Sequence, residues 1–345
     1  MSLYCRIEKH FGPFHLDVEF DAGDEVVSVM GASGSGKSMT LRCIAGIEKP
    51  DAGRIVLNGR TLFDSEKKIN LPPQLRRTGL LFQDPALFPN MTVLENIRLA
   101  APRNAKITAE RYLENFGLEG LGNRYPDQLS GGQKQRCAIA RMLASEPEIL
   151  MFDEPFSALD THLRWQMERE IARTIAGFQG TVLLVSHNRD EVFRLSDRVT
   201  VLTDGKSEEL RTKQDLFFRP VSYADALLTG CKNIFPASVR GGEIEIPGLG
   251  LTLTCSDAPE NVRYAGIRAK RILPGYAAQP AEEYFFLDYR VLNITESIFT
   301  YIVEILPENG TNSLYWEIDK AVYAGIKDHA ASVAIPRKEL MLLKS

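Results

Sequence analysis

Residues 31–38, GASGSGKS, constrain this chain more than any other segment, because they fit the pattern Gly-x-x-x-x-Gly-Lys-Ser. They follow the apolar run 26–30 and open a stretch of helical character. In this order of strand, glycine-rich loop and helix, backbone N–H groups and the positive end of the helix face phosphate oxygens. Lys37 then reaches the β- and γ-phosphates, and the Ser38 hydroxyl binds Mg²⁺. The pattern predicts a nucleoside triphosphate site and disfavours a merely flexible loop.

Two carboxylates follow a second apolar run. Residues 149–152 are typical of a buried parallel strand, and Asp153 and Glu154 come directly after them. Because ligands of open α/β sheets bind at the carboxyl edge, Asp153 is predicted to hold Mg²⁺ and Glu154 to act as the general base toward the attacking water. The alternative is a solvated carboxylate pair at a helix start. The phosphate loop makes that alternative the weaker one.

A third motif, LSGGQ at residues 129–133, precedes the helix-forming stretch 134–144. Its Ser and Gly residues predict a helix N-terminus with N–H groups directed outward, which is a second anion site. A plain helix cap is the other interpretation.

Together and in this order, the three motifs resemble the ATP-binding subunit of an ABC transporter, over residues 1 to about 230. In that family two subunits pair head to tail, and each ATP lies between the phosphate loop of one and the LSGGQ motif of the other. The resemblance implies a homodimer that hydrolyses ATP with Mg²⁺. It also explains why one chain carries two anion sites.

Further positions match the family in sequence order. Gln83, in LLFQDPALFP, corresponds to the glutamine that contacts Mg²⁺ and the attacking water. The segment that runs from Asp84 to Ile97 corresponds to the surface facing the membrane partner. Asp160 closes the SALD string of the dimer interface. His187 follows the strand-like run 181–186, where an imidazole can hydrogen-bond the γ-phosphate.

The predicted site therefore has three sets of residues. The catalytic residues are Glu154, His187, Gln83 and Lys37. The metal ligands are Ser38, Gln83 and Asp153. The nucleotide-binding residues are Phe11, Gly31, Ser33, Gly34, Ser35, Gly36, Lys37, Ser38, Met39, Ser130, Gly131, Gly132, Gln133 and Asp160.

Adenine recognition has two candidates. The family stacks the base on an aromatic residue about twenty positions before the phosphate loop, and Phe11 and Phe14 both qualify. We favour Phe11, although an apolar Phe in this region is as often part of the core.

Length and composition agree with these interpretations. A chain of 345 residues predicts two domains. A net charge of −4 gives no electrostatic footprint for nucleic acid. The five cysteines have no Cys-x-x-Cys spacing, which disfavours a zinc site or a disulfide framework. The apolar runs are too short to span a bilayer, so we expect a peripheral protein on the cytoplasmic face of the membrane.

The sequence changes character near residue 230. Before it, strands alternate with helical stretches such as 161–176, which predicts an α/β P-loop NTPase domain, residues 1–230, with a helical subdomain at about 88–145. After it, short β-rich runs at 244–246, 251–255, 264–269, 289–294, 298–306, 313–318 and 332–335 predict a small all-β barrel, residues 231–345. Asn309-Gly310 is a hairpin signal.

This second domain resembles the OB-like accessory domain of importer ATPases for oxyanions, sugars and iron. Residues 59–100 are especially similar to the molybdate type, with the paired Arg76-Arg77. The resemblance implies membrane permease subunits, an extracytoplasmic binding protein and molybdate or tungstate as the transported ion. Sulfate, Fe³⁺ or a sugar is the alternative within the class. A soluble ABC ATPase acting on DNA or the ribosome is disfavoured, because the chain has neither a second cassette nor basic insertions.

Some molybdate-type relatives bind the oxyanion in this domain through a Ser-x-Arg-Asn string. The corresponding string here is Arg290-Val291-Leu292-Asn293, with Leu in place of Arg and without Ser. On a regular strand Arg290 and Leu292 would share one face. We therefore expect a dimerisation and docking module with weak or absent oxyanion inhibition.

Overall fold

The computed structural model describes residues 2–102, 107–157, 159, 161–255, 259–325 and 332–344. The chain divides into two compact units, Met1–Lys213 and Gln214–Ser345. The first unit is α/β and the second is mainly β.

The first unit contains the following strands and helices. Its strands are β1 (Leu3–Phe11), β2 (Phe14–Ala22), β3 (Val26–Gly31), β4 (Ala52–Leu57), β5 (Arg60–Asp64), β6 (Ile69–Asn70), β7 (Thr78–Leu81), β8 (Ile149–Asp153), β9 (Thr181–Val185), β10 (Arg198–Thr203), β11 (Lys206–Ser207) and β12 (Arg211–Thr212). Its helices are α1 (Lys37–Ala45), α2 (Pro73–Arg76), α3 (Val93–Ala100), α4 (Ala109–Asn115), α5 (Gly131–Ala144), α6 (Thr161–Ala176) and α7 (Arg189–Leu195).

Over the described residues, these strands form one sheet in the order β6-β5-β4-β1-β2-β11-β10-β3-β9-β8-β7, with β12 on β10. The stretch β10-β3-β9-β8-β7 is parallel throughout. Every residue of β3, β8 and β9 is buried, as expected for parallel strands covered on both faces. The predicted strands at 26–30, 149–152 and 181–186 and the helix at 161–176 are confirmed.

Helices cover both faces of the parallel strands. On one face, Leu41 and Ile44 of α1 pack with Val27 and Val29 of β3. On the other, residues of α5 and α6 pack around Phe152 of β8. The loops that follow β3, β7, β8 and β9 therefore lie at one edge of the sheet, where ligands of open α/β sheets bind.

A fully buried arginine closes the far end of α1. The guanidinium of Arg76 donates to the carbonyl oxygens of Cys43 (2.8 Å), Ile44 (2.9 Å) and Leu71 (2.8 Å), and to Asn70 Oδ1 (2.8 Å). The last carbonyls of a helix have no intrahelical donor, so Arg76 satisfies them where water has no access. Gly46, at φ +80°, ends the helix against the side chain of Arg76, which leaves no room for a Cβ. The helix that follows the phosphate loop is thus anchored at its C-terminus.

The second unit contains mainly short strands. Its helices are α8 (Lys213–Phe218), which begins at the boundary between the units, α9 (Tyr223–Leu228) and α10 (Lys320–Ala324). Its strands are β13 (Asn233–Pro236), β14 (Ser238–Arg240), β15 (Glu243–Ile246), β16 (Leu251–Thr254), β17 (Tyr264–Ile267), β18 (Leu273–Pro274), β19 (Tyr284–Glu296), β20 (Thr300–Pro307), β21 (Leu314–Asp319), β22 (Ser332–Pro336) and β23 (Met341–Leu343).

These strands pair in three groups, β13-β17-β23, β14-β15-β16 and β18-β22-β19-β20-β21. Each of the seven predicted β-rich runs overlaps one of these strands, so the all-β prediction is confirmed. The long strand β19 pairs with β22 through residues 284–288 and with β20 through residues 289–296. The core of the unit forms around Trp316, which is fully buried and donates from Nε1 to the carbonyl oxygen of Ile272 at 2.9 Å.

Two local features differ from the sequence prediction. The hairpin between β20 and β21 forms, but its connection is longer than the two-residue turn that Asn309-Gly310 indicates. The N–H groups of Thr311 and Asn312 donate to the carbonyl oxygen of Gly248, which holds the loop open. The pairing of β19 with β20 also shifts register between Val291 and Asn293. A bulge interrupts the alternation of side chains, so the shared face predicted for Arg290 and Leu292 does not follow.

We expect Arg76→Lys to lower the free energy of unfolding by about 3 kcal/mol, because one ammonium cannot replace a fork that serves four acceptors in a buried site. Denaturant unfolding measures this change. Arg77→Lys is the matched control: Arg77 is exposed, its ion pair with Glu148 lies at the surface, and the change should stay within about 0.5 kcal/mol. Equal losses in the two variants would contradict the anchoring role of Arg76.

Candidate active site

The phosphate loop has the backbone shape that its glycines predict. Gly31 (φ +155°) and Gly36 (φ +103°) both lie in regions that favour glycine. A Cβ at Gly31 would overlap the carbonyl oxygen of Leu202, and a Cβ at Gly36 would overlap the side chain of Leu16. Gly36 is also the N-cap of α1 and offers no side-chain hydrogen bond. The first N–H groups of α1 therefore have no intrahelical acceptor and can serve a phosphate.

Lys37 is almost fully buried at the start of α1. Its Nζ donates to the carbonyl oxygens of Gly31 (3.0 Å) and Ala32 (2.7 Å). Burial lowers the pKa of Lys37, and the nearby carboxylates of Glu154 and Asp153 oppose that shift. Within the same loop, the buried Ser35 Oγ has no hydrogen-bond partner in the part of the chain that the structure describes. A buried ammonium and an unsatisfied hydroxyl suit a ligand that brings anionic acceptor oxygens.

Ser38 and Asp153 meet at the carboxyl edge of the sheet. Ser38 Oγ donates to Asp153 Oδ1 at 2.7 Å, and both residues line a cleft together with Gln83. Burial raises the pKa of Asp153, and the hydrogen bond from Ser38 opposes the shift. Hydroxyl, carboxylate and amide oxygens are the ligands that Mg²⁺ prefers. The residues present thus fit a Mg²⁺ ion, as the sequence predicts.

Glu154 and His187 come from neighbouring strands and face each other. Glu154 Oε2 lies 3.2 Å from His187 Nδ1. The backbone of Glu154 takes a left-handed conformation, φ +46°, and its N–H donates to the carbonyl oxygen of Val185 at 2.9 Å. A non-glycine residue in this conformation is held there by its surroundings. The structure therefore brings the candidate base and the candidate γ-phosphate ligand together.

The LSGGQ motif forms a helix cap in the single chain. Ser130 Oγ accepts from the Gln133 N–H (3.3 Å), and Gln133 Oε1 accepts from the Ser130 N–H (2.9 Å), which is a reciprocal capping box. A Cβ on Gly132 would lie 2.7 Å from Leu163 Cδ1, so this glycine also allows the approach of the segment that carries Leu163. Ser130 and Gly131 are exposed, and residues 130–133 do not line the cleft of Ser38 and Asp153. Asp160 lies outside the described residues.

The two aromatic candidates differ in their surroundings. Phe11 and Phe14 face each other across β1 and β2. Phe14 packs against the core of the first unit, and its Cζ would lie 3.3 Å from a Cβ on Gly36. Phe11 is half-buried, and Lys9 Nζ lies 4.8 Å from its ring centroid. Phe14 thus packs against the phosphate loop at Gly36.

A buried carboxylate that the sequence did not single out lies next to the segment of His187. Glu191 is 3% exposed, and its Oε2 accepts from Ser186 Oγ at 2.6 Å. In the sequence it reads as one acidic residue in the first turn of a helix, where Asp and Glu are common. A different cavity of about 930 Å³, lined by α4, α5 and α6, contains none of the predicted site residues that the structure describes. The site is therefore identified by the chemistry of its residues and not by the volume of a cavity.

Within the part of the chain that the structure describes, we find no helix whose length and apolar character would allow it to cross a bilayer.

This chain is similar to a family model and to known proteins that agree with one another. Residues 15–157 match the family model described as ABC transporter. The sulfate/thiosulfate import ATP-binding protein CysA of Caulobacter vibrioides is 38% identical over 264 residues, 72% of this chain and 76% of that protein. The molybdenum import ATP-binding protein ModC of Paramagnetospirillum magneticum is 40% identical over 204 residues, 58% of this chain and 56% of that protein. Other relatives are named for import of Fe(3+) ions and of spermidine/putrescine.

A solved dimer of an ATP-binding cassette, in a post-hydrolysis state bound to ADP and Pi, is 30% identical to this chain with a TM-score of 0.52. The matched region covers 62% of this chain and 99% of the solved chain.

We expect Asp153→Asn to raise the melting temperature of the nucleotide-free protein by a few degrees at pH 7. Burial raises the pKa of Asp153, so its carboxyl favours folding while protonated and loses that contribution as the pH rises through its folded pKa. Asn removes the buried charge and keeps an acceptor for Ser38. Thermal unfolding from pH 4 to pH 8 measures the effect, which should shrink toward pH 4. Ser38→Ala is the control and should lower the melting temperature; no gain for Asp153→Asn at pH 7 would refute the argument.

Proposed function

Because this chain belongs to the ABC transporter family, as an ATP-binding subunit of an importer, we propose that it couples ATP hydrolysis in a head-to-tail homodimer to the uptake of a small oxyanion. The chain is an ATPase. The observation that carries the proposal is the convergence of Lys37, Ser38, Asp153, Glu154 and His187 at one sheet edge. In this proposal residues 1–230 are the ATP-binding domain, with a helical subdomain at about 88–145, and residues 231–345 are an accessory domain.

The geometry supports a hydrolytic mechanism in which positioning and electrostatics dominate. Lys37 exchanges the carbonyl oxygens of Gly31 and Ala32 for oxygens of the β- and γ-phosphates. Glu154 accepts a proton from the attacking water, and His187 hydrogen-bonds the γ-phosphate. Gln83, which lines the cleft with Ser38 and Asp153, orients the same water.

Ser38, Asp153 and Gln83 would hold Mg²⁺, which would neutralise charge that develops on the phosphate oxygens.

The adenine and the second anion site complete the proposed nucleotide complex. Phe11 is the better stacking candidate, since Phe14 already packs beneath Gly36. Ser33, Gly34 and Met39 complete the loop side of the site. Ser130, Gly131, Gly132 and Gln133, with Asp160, would meet the ATP bound by the partner subunit. The exposure of Ser130 and Gly131 at a helix N-terminus supports this role.

Import requires partners, which we infer from the family. Membrane permease subunits would dock on the segment from Asp84 to Ile97, and an extracytoplasmic binding protein would deliver the substrate to them. Phe88 of this segment is 43% exposed, and Arg141 fixes the backbone there by donating to the carbonyl oxygens of Pro85 and Ala86. The protein would then be peripheral, on the cytoplasmic face of the membrane. No role for nucleic acid is proposed.

Molybdate or tungstate is our first choice of transported ion, supported by the similarity of residues 59–100 to the molybdate type and by one relative named for molybdenum import. Sulfate, Fe³⁺ or a sugar is the alternative, and relatives named for sulfate/thiosulfate and Fe(3+) ions share the same cassette. The accessory domain would serve dimerisation and docking. Its residues 290–293 place the apolar Leu292 in a bulge where a regulatory oxyanion would need a donor.

Glu154→Gln should abolish ATP turnover and preserve ATP binding, because the amide cannot accept the proton of the attacking water. Since two ATP molecules would then remain uncleaved at the subunit interface, the variant should form a stable dimer with ATP. Steady-state phosphate release and light scattering test both effects, and Lys37→Ala is the contrasting variant that should weaken ATP binding itself. Turnover near wild type in Glu154→Gln would rule out the proposed base.

Substrate choice is tested with the whole importer in proteoliposomes. We expect its ATPase rate to rise several-fold when the binding protein is loaded with molybdate or tungstate, and to stay basal with sulfate or Fe³⁺. Stimulation by sulfate or Fe³⁺ alone would replace the proposed ion and would leave the ATPase assignment intact.

A further inference from the structure

The segment that carries His187 is held on both sides by one buried hydroxyl. His187 lies between β9 and α7, with Ser186 before it and Asn188 after it. Ser186 is 2% exposed; its Oγ accepts from the Asn188 N–H at 3.0 Å and donates to Glu191 Oε2 at 2.6 Å. The peptide unit that follows His187 is therefore fixed by the Ser186 hydroxyl.

Glu191 is the anchor of this arrangement. It lies in the first turn of α7, where its N–H donates to the Asn188 side chain, the N-cap of the helix. Burial raises the pKa of Glu191, and Ser186 and then Arg164 oppose the shift. Arg164 Nε of α6 lies 3.9 Å from Glu191 Oε1 and has no hydrogen-bond partner among the described residues. A carboxylate in such a site persists because specific partners compensate its lost hydration.

One small cavity lies next to both Glu191 and the pair of Glu154 and His187. Glu154, Arg164, Ser186, His187 and Glu191 all line it. Glu154 contacts the imidazole ring of His187 at 3.2 Å, whereas Glu191 holds the backbone beneath that ring through Ser186. Two carboxylates thus act on one histidine, one on its ring and one on its main chain.

We propose that Glu191 is a positioning residue for ATP hydrolysis, which acts through Ser186 to fix His187 beside Glu154. Arg164 links this anchor to α6, the helix that follows the SALD string. The inference rests on the role of His187 in the proposed function. Glu191 touches neither the nucleotide nor the water.

A second buried carboxylate, Glu168, also links α6 to α7 and provides a matched control. Glu168 of α6 is 9% exposed, and its Oε2 accepts from Arg194 Nη2 of α7 at 2.8 Å. Glu168 ties the same two helices together without lining the cavity of His187. Glu168→Ala should therefore lower stability and leave kcat within about twofold.

The experiment is a double-mutant cycle on the full-length protein, with steady-state ATPase activity as the readout. Glu191→Ala and Ser186→Ala should lower kcat roughly tenfold to hundredfold and change the KM for ATP by less than about twofold, because the phosphate loop still binds the nucleotide. Glu191→Gln keeps an acceptor for Ser186 and should lose less. In a His187→Ala background, Glu191→Ala should cause no further loss, since the two residues act as one unit.

The outcomes separate this inference from the role of His187. Additive losses in the double variant, or a normal kcat in Glu191→Ala, would overturn the positioning role. A normal kcat in His187→Ala would instead overturn the proposed role of His187. If Glu191→Ala does not fold, the cycle is run with Glu191→Gln and Ser186→Ala. The NMR signal of the His187 ring should move in either of these two variants and stay in place in Glu168→Ala.

Discussion

The buried ammonium of Lys37, at the start of α1, makes the interaction on which the site depends. Because Lys37 is almost fully buried, its charge must be met by the loop carbonyls and by Asp153 and Glu154. Asp153 ends β8 and Glu154 follows it, and β9 lies between β3 and β8 in the sheet. The charge is therefore balanced only when three strands stay in register. Because His187 follows β9, the same register places the imidazole beside Glu154.

Buried polar anchors outside the site keep its parts in place. Arg76 satisfies the last carbonyls of α1, the helix that begins at the phosphate loop. Glu191 performs the corresponding task for the loop of His187. Arg76 exchanges hydration for four protein hydrogen bonds, and Glu191 for one hydrogen bond and the nearby charge of Arg164. Removing a partner therefore leaves a buried polar group unsatisfied. The site thus depends on buried residues that are not among its predicted ligands.

The sequence was most informative where requirements are local. The phosphate loop needs glycine at fixed positions, and a parallel strand buried on both faces needs a continuous apolar run, so β3, β8 and β9 could be predicted. The bounds of α6 also agree with the predicted helix at 161–176. Arg76 and Glu191 could not be assigned, because an arginine or glutamate becomes buried only through packing between distant segments. The bulge at Leu292 and the loop at Thr311 arise in the same way, from register and from Gly248.

The LSGGQ motif shows that the two interpretations of one string are compatible. The capping box uses the Ser130 side chain and the N–H of Gln133, while the first N–H groups of α5 have no acceptor within the helix. The cap therefore fixes the helix end before any ligand is bound. An anion that binds there would not have to order this part of the backbone, so the entropic cost of binding is small. On this argument the partner subunit would complete a preformed surface, and closure of the dimer would depend on the ATP held by Lys37 in the facing chain.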